Sequence, residues 1–331
     1  MIDNSLPLAI ISHQLPDTWL VRLKGRCRIL VGTFQAEGGG LANEPAAELE
    51  QAEGLFTLLT VPVNDDLLDK APGLRVVSNM AVGVDNVDLA ACSRRGIPVG
   101  HTPGVLTEST ADLTMALLLA TARQLPQASM DAKEGKWTTW LPTGWLGADL
   151  DGATLGIVGM GKIGSAVARR AAAFGLKILY ANPTKIPDID AALGAIHTPL
   201  DKVLGRSDFV SLHVPLSDGT RGLMDENRLR MMKKSAILIN TSRGPVVDQR
   251  ALFKALDSGW IAAAGLDVTD PEPLPPDDPL YTLENCLILP HIGSATRNTR
   301  KSMAELACNN LLAGLDGRPL PHCANPEVYT R

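Results

Sequence analysis

The chain is poor in cysteine and tryptophan, carries no excess of positive charge, and has no apolar run of membrane length. Its five cysteines, Cys27, Cys92, Cys286, Cys308 and Cys323, form no C-x-x-C pair. Such spacing excludes a zinc module and a disulfide scaffold, and it reads as reduced thiols in a cytosolic protein. The formal net charge of −5 over 331 residues argues against a nucleic-acid or anionic-membrane surface. The longest apolar stretch, Leu113 to Ala122, is bounded by Asp112 and Arg123. It is about half of what a bilayer span needs, so a buried helix is expected. At the start, MIDNSLPLAIISHQLPD places an acid and no basic region ahead of a short apolar run, which reads as a first strand and not as a secretory signal. Hydrophobic residues make up 45% and charged residues 20%, a balance that suits about two domains with sizeable cores.

What is present is alternation. Leu8–Ser12, Leu55–Thr60, Leu74–Ser78 and Pro98–His101 are short apolar runs interleaved with helix-like segments at Pro45–Ala52 and Val87–Arg95. From Thr107 a long helix is expected through Arg123, with Glu108 and Asp112 in its first turns. A second series of strands follows at Thr154–Gly159, Lys177–Ala181, Phe209–His213, Ala236–Asn240, Ala262–Leu266 and Cys286–Leu289, with helical stretches between most of them. Apolar strands alternating with helices predict parallel sheets covered on both faces. The expected architecture is therefore α/β, with two doubly wound parallel-sheet domains. A Rossmann-type cofactor domain, residues 102–292, is inserted into a flavodoxin-like substrate domain made of 1–101 and 293–331. Within the cofactor domain, after the long helix and before the second series of strands, lies Lys136–Leu150, which holds Trp137, Trp140 and Trp145, three of the five tryptophans. Such an arm packs either on a partner subunit or on a local satellite core.

The segment TLGIVGMGKIGSAVARRAAAFG sets Gly159-x-Gly161-x-x-Gly164 between an apolar strand and an apolar-periodic helix. Glycine at these places allows a tight turn, a close approach of backbone N–H groups to a pyrophosphate, and close packing of helix on strand. Eighteen residues after Gly164 the next strand ends at Asn182-Pro183-Thr184-Lys185. An acid here would bind both ribose hydroxyls of NAD. An amide, a hydroxyl and a lysine suit a ribose bearing a 2′-phosphate instead, so NADPH is expected to be preferred, with NADH as the weaker alternative.

Three further segments stand out: NTSRGPVVD at Asn240–Asp248, AGLDVTDPEP at Ala264–Pro273 and LPHIGSAT at Leu289–Thr296. Arg243 and Asp267 follow apolar strands, and Glu272 and His291 lie in the next turns. In an open α/β sheet, ligands bind beyond the carboxyl ends of the strands. With MAVGVDNVDL, GHTPGVLTESTADLTMALLLATAR and GIVGMGKIG added, the chain closely resembles the D-isomer-specific 2-hydroxyacid dehydrogenases over nearly its whole length, and within them the glyoxylate/hydroxypyruvate reductase branch. The resemblance implies that Arg243, Glu272 and His291 form the catalytic set, with His291 as proton donor. It implies that Val82 and Gly83 hold the substrate carboxylate, with Ser294 nearby and Trp140 reaching the partner's active site in a homodimer. It also implies coenzyme contacts at Thr110, Gly159, Gly161, Lys162, Ile163, Gly164, Asn182, Thr184, Lys185, His213, Pro215, Thr220, Thr241, Ser242 and Asp267. For Asp267 a helix cap is the alternative.

The chemistry fits such a set. Reducing a 2-oxo acid needs a hydride on carbon 2 and a proton on its oxygen, and histidine is the side chain suited to donate that proton near neutrality. A neighbouring carboxylate stabilises the imidazolium, and a guanidinium fork polarises the carbonyl. The implied function is NAD(P)H-dependent reduction of a small 2-oxo acid, glyoxylate or hydroxypyruvate, in the cytoplasm, with no metal, nucleic acid or membrane. Phosphoglycerate dehydrogenase is the alternative within the family, although the chain runs only 40 residues beyond His291. A dinucleotide-sensing corepressor on the same fold is the alternative outside enzymes. His13, His101, His197, His213 and His322 read as ordinary polar side chains, although the resemblance places the segment His213-Val214-Pro215 along the coenzyme.

Overall fold

Leu8-Ala9-Ile10-Ile11 is buried along its whole length, as expected of a strand covered on both faces of a parallel sheet. The structure, a computed structural model, describes residues 5–34, 41–42 and 46–330. Their contacts divide into two compact units, one of residues 1–106 with 296–331 and one of 107–295.

In the smaller unit β1 (Leu8–Ile11), β2 (Arg28–Val31), β3 (Gly54–Thr57), β4 (Val76–Asn79) and β5 (Val99–Gly100) form a parallel sheet in the order β2-β1-β3-β4-β5. This is the flavodoxin-like order. β2 is a strand the apolar pattern does not reveal, because an edge strand tolerates Arg28 and an exposed Ile29. The helix expected from Pro45 begins at Ala46, Pro45 itself lying outside the described residues. The last helix, Arg297–Leu315, is capped by Thr296, whose hydroxyl accepts the N–H of Thr299 at 3.1 Å. It lies on this sheet, and Ser78 on β4 donates to Ala307 O at 2.8 Å. Beyond it the buried Asn325 accepts the N–H of Val99 at 2.8 Å and donates to Ile97 O at 3.0 Å.

In the larger unit β6 (Thr154–Val158), β7 (Lys177–Ala181), β8 (Ile196–His197), β9 (Phe209–Leu212), β10 (Ile237–Asn240), β11 (Ala263–Leu266) and β12 (Cys286–Ile288) form a second parallel sheet, ordered β8-β7-β6-β9-β10-β11-β12. Its first six positions follow the Rossmann order, and the reversal falls between β6 and β9. Alternate residues serve opposite cores. Phe209, Ile237 and Ile239 pack with the helices Thr107–Ala122 and Lys162–Ala173, whereas Val210, Leu212 and Leu238 pack with Leu252 and Leu256 of the helix Gln249–Asp257. The two doubly wound α/β sheets are those the sequence predicts. The unit boundaries fall a few residues later than the expected 101/102 and 292/293. The helix Thr107–Ala122 belongs whole to the larger unit, and the turn that Ala295 N closes on Ile292 O at 2.8 Å stays with it. No helix among the described residues is long and apolar enough to cross a membrane.

Candidate active site

The glycine turn sits at the sheet reversal. Gly159 has φ +96°, a backbone that L side chains rarely adopt, and a Cβ there would meet His213 O at 2.7 Å. At Gly164 a Cβ would lie 2.2 Å from Gly159 O, while at Gly161 nothing stands within 4 Å. The two crowded glycines let turn, helix and β9 close up, and the open one leaves a cradle beside the first turn of Lys162–Ala173. That is the form a pyrophosphate needs at a helix N-terminus, so these residues fit a dinucleotide. Lys162 and Ile163 open the helix, with Ile163 packed on the core.

After β7 the Asn182 side chain is used within its own loop. Its Oδ1 accepts the N–H of Met160 at 3.1 Å and its Nδ2 donates to Thr184 O at 2.9 Å. His197 Nε2 donates to Asn182 O at 2.8 Å, so a histidine read as an ordinary polar residue fixes this corner. Lys185 is ion-paired to Asp190 at 3.3 Å.

After β9 the His213 side chain is half-buried, with Nε2 on Ser211 Oγ at 2.8 Å. The backbone carbonyl of His213 lies against the glycine turn, 2.7 Å from where a Cβ at Gly159 would stand. Burial pushes this imidazole down to about 4. The unfolded chain takes up a proton below its usual value near 6.5, and the native state does so only near 4. Stability should thus be complete above about pH 6.5 and decline toward pH 4, by roughly 3 kcal/mol from this group alone. Denaturant unfolding at a series of pH values should show that slope, and His213→Gln should flatten it. An unchanged slope in the variant would remove the assignment. Pro215 and Thr220 form the next turn, where Thr220 Oγ1 donates to Pro215 O at 2.6 Å.

The loops after β10, β11 and β12 carry the remaining candidates. The buried Asn240 arranges its own loop, accepting from Ser242 N at 3.0 Å and Ser242 Oγ at 2.8 Å and donating to Arg243 O at 2.9 Å. Arg243 also donates through Nη1 to Ser242 O at 2.8 Å. Thr241 Oγ1 meets Thr114 Oγ1 at 2.9 Å, and Thr114 donates to the carbonyl of the buried Thr110. Gly244 packs against the following loop so closely that a Cβ would stand 1.8 Å from Thr269 O. Glu272 and His291 are joined directly, Glu272 Oε1 to His291 Nδ1.

His291 has φ +53°, a left-handed backbone uncommon for a residue with a Cβ. Asp267 holds it there: one carboxylate oxygen accepts Ile292 N at 2.7 Å and the other Gly293 N at 2.8 Å. Asp267 caps no helix, so the alternative reading falls. Burial pushes its carboxyl above the usual range, and the two N–H groups draw it back. Ser294 follows half-buried in the same turn.

In the smaller unit, the carbonyls of Val82 and Gly83 are each tied from behind. His101 Nδ1 donates to Val82 O at 3.0 Å and Asn79 Nδ2 to Gly83 O at 3.1 Å. Asn79, Asn240 and Thr269, which sequence reasoning did not single out, and His101, read there as an ordinary polar side chain, brace the candidate loops. The available signal was that Asn79, His101 and Asn240 sit at or just past strand ends, and Thr269 in the turn leading to Glu272. Trp137, Trp140 and Trp145 are 75%, 79% and 44% exposed on the described chain. Beside Trp145 runs a groove of about 700 Å³, lined also by Met130, Leu146, Ile237 and Leu287. This concavity contains none of the candidate residues named at the strand ends. Among the described residues no cluster of three or more metal-ligating side chains occurs.

Residues 115–293 match the family model of the D-isomer specific 2-hydroxyacid dehydrogenase, NAD binding domain. The chain is 52% identical over 323 residues to a glyoxylate reductase of Korarchaeum cryptofilum, covering 97% of each. It is 49% identical over 283 residues to a glyoxylate reductase/hydroxypyruvate reductase of Mus musculus, covering 84% of this chain and 86% of that one. Its fold matches that of an NADPH-dependent glyoxylate/hydroxypyruvate reductase of Sinorhizobium meliloti in complex with NADP and malonate, with a TM-score of 0.84, 33% identity and 97% of each chain covered.

Proposed function

Because this chain belongs to the D-isomer-specific 2-hydroxyacid dehydrogenase family, we propose that it is a glyoxylate reductase, reducing small 2-oxo acids to D-2-hydroxy acids. The observation that carries this reading is the Glu272–His291 pair, set in a turn that Asp267 holds, beside the strand-end loop of Arg243. The coenzyme, when bound on the glycine turn, supplies hydride to carbon 2. His291 donates the proton from Nε2, since Nδ1 is committed to Glu272. Glu272 stabilises the imidazolium before transfer and orients the ring. Arg243 binds the oxo acid through its fork and balances the negative charge that grows on the carbonyl oxygen. The N–H groups of Val82 and Gly83 bind the substrate carboxylate, and the peptide planes that carry them are held through Ala81 O, which accepts Thr102 N at 2.8 Å, and Val82 O, which accepts from His101 Nδ1 at 3.0 Å.

Hydroxypyruvate is the second substrate, a reading supported by the mouse and Sinorhizobium relatives that carry both names. A panel of 2-oxo acids assayed with NADPH and NADH at the nicotinamide absorbance tests this function. Turnover above about one per second on glyoxylate is expected. Coenzyme binding without turnover on any 2-oxo acid would instead mark a dinucleotide sensor.

NADPH is the preferred coenzyme. Asn182 stands where an acid would repel a 2′-phosphate, so kcat/KM should favour NADPH by about tenfold. Asn182→Asp should shift the ratio toward NADH, and a wild-type enzyme that uses NADH better would defeat the reading.

The protein works as a homodimer, with the tryptophan arm and its groove covered by a second copy. Large apolar side chains left this exposed are characteristic of interaction surfaces. Sedimentation at micromolar concentration should give twice the chain mass. Trp140→Ala should raise KM for the oxo acid, and a monomer with unchanged KM would end the proposal.

A further inference from the structure

The acid missing from the end of β7 has a counterpart that approaches the same loop from the next helix. Asp190 lies in the helix Pro187–Leu193, and its side chain is only 15% exposed. It sits beside Tyr180 of β7, whose hydroxyl accepts the N–H of Ile186 at 2.8 Å. Burial raises that phenol's pKa, and the Asp190 charge raises it further. Asp190 is therefore largely sheltered from solvent, whereas its partner Lys185 is 64% exposed. Lys185 is the solvent-facing member of the pair.

From this asymmetry we infer that Asp190 is a specificity-determining residue for the coenzyme, restraining the preference for NADPH by holding the Lys185 ammonium. The inference rests on the reading of this loop as a 2′-phosphate site. A phosphate competes with Asp190 for the same cation, so phosphate binding must draw Lys185 away or share it. An ion pair with so exposed a cation is weak enough to exchange. Asp190 also places a second negative charge near the phosphate, opposing it without touching the ribose. NAD lacks that phosphate, and its binding does not call on Lys185.

Equilibrium binding of NADP⁺ and NAD⁺, followed by calorimetry on the full chain, tests this. Asp190→Asn keeps the shape and removes the charge. It should tighten NADP⁺ about three- to tenfold while leaving NAD⁺ within about twofold. Asp190→Ser serves the same purpose should the amide disturb the helix. Lys185→Met should weaken NADP⁺ by a similar factor, and in that background Asp190→Asn should lose most of its effect. If Lys185→Met weakens NADP⁺ but the Asp190 variants leave it within twofold, the role of Asp190 is overturned and the phosphate site stands. If Lys185→Met leaves NADP⁺ binding unchanged, the phosphate reading falls and the inference falls with it.

Discussion

His291→Ala should lower kcat by about two to four orders of magnitude while NADPH affinity stays nearly constant. A positioned general acid is worth that much, and the imidazole is the only part of the turn that the change removes. The backbone is secured independently by the two Asp267 bonds at 2.7 and 2.8 Å, so the loop should keep its course. One objection is that alanine at φ +53° could refold the turn and mimic a loss of acid catalysis. His291→Asn answers it, because asparagine enters the left-handed region more readily than most residues. Both variants should be equally slow, and coenzyme fluorescence should titrate as in wild type. Wild-type turnover in either would remove His291 from the chemistry.

Gly244→Ala should cut kcat/KM for the oxo acid by about a hundredfold without comparable loss of coenzyme binding. The added methyl would stand 1.8 Å from Thr269 O and 2.1 Å from Thr269 C. Those atoms are backbone and cannot turn aside as a side-chain tip would. Either the loop bearing Arg243 or the one leading to Glu272 must move, and misplacement by about 1 Å is enough for a hundredfold loss. Gly164→Ala makes the contrast, since its methyl would strike Gly159 O at 2.2 Å and should damage coenzyme affinity first. A Gly244→Ala enzyme within threefold of wild type would show that the two loops are not mutually positioned.

Why was so much of this readable from sequence? Interior strands of a parallel sheet are buried on both faces, so β1, β6 and β9 to β11 appear as plain apolar runs. Edge strands lack that constraint. β2 carries Arg28, and β8 is two residues long with an exposed Ile196, so neither stood out. Arg243, Glu272 and His291 were singled out through the resemblance of their motifs to the family, and of these the structure joins Glu272 directly to His291. Their supports were not singled out. Asn240 and His101 act by hydrogen-bonding a nearby carbonyl, an arrangement with no periodicity and no fixed spacing. Asp190 was hidden for another reason: the charge comes from a following helix, and the chain distance to Lys185 does not announce the pairing.

The smaller unit is encoded in two pieces, and this has a consequence for biosynthesis. The five strands of its parallel sheet are translated within residues 1–106, but the helix Arg297–Leu315 that lies on them belongs to 296–331. At about five to twenty residues per second, the wait for that helix is roughly ten to forty seconds. Throughout it the nascent β3 and β4 keep one apolar face uncovered, an invitation to chaperones and to aggregation, while the contiguous larger unit emerges whole and can fold on schedule. A premature stop just before Thr296 would therefore release a finished 107–295 joined to a sheet that had lost its lid.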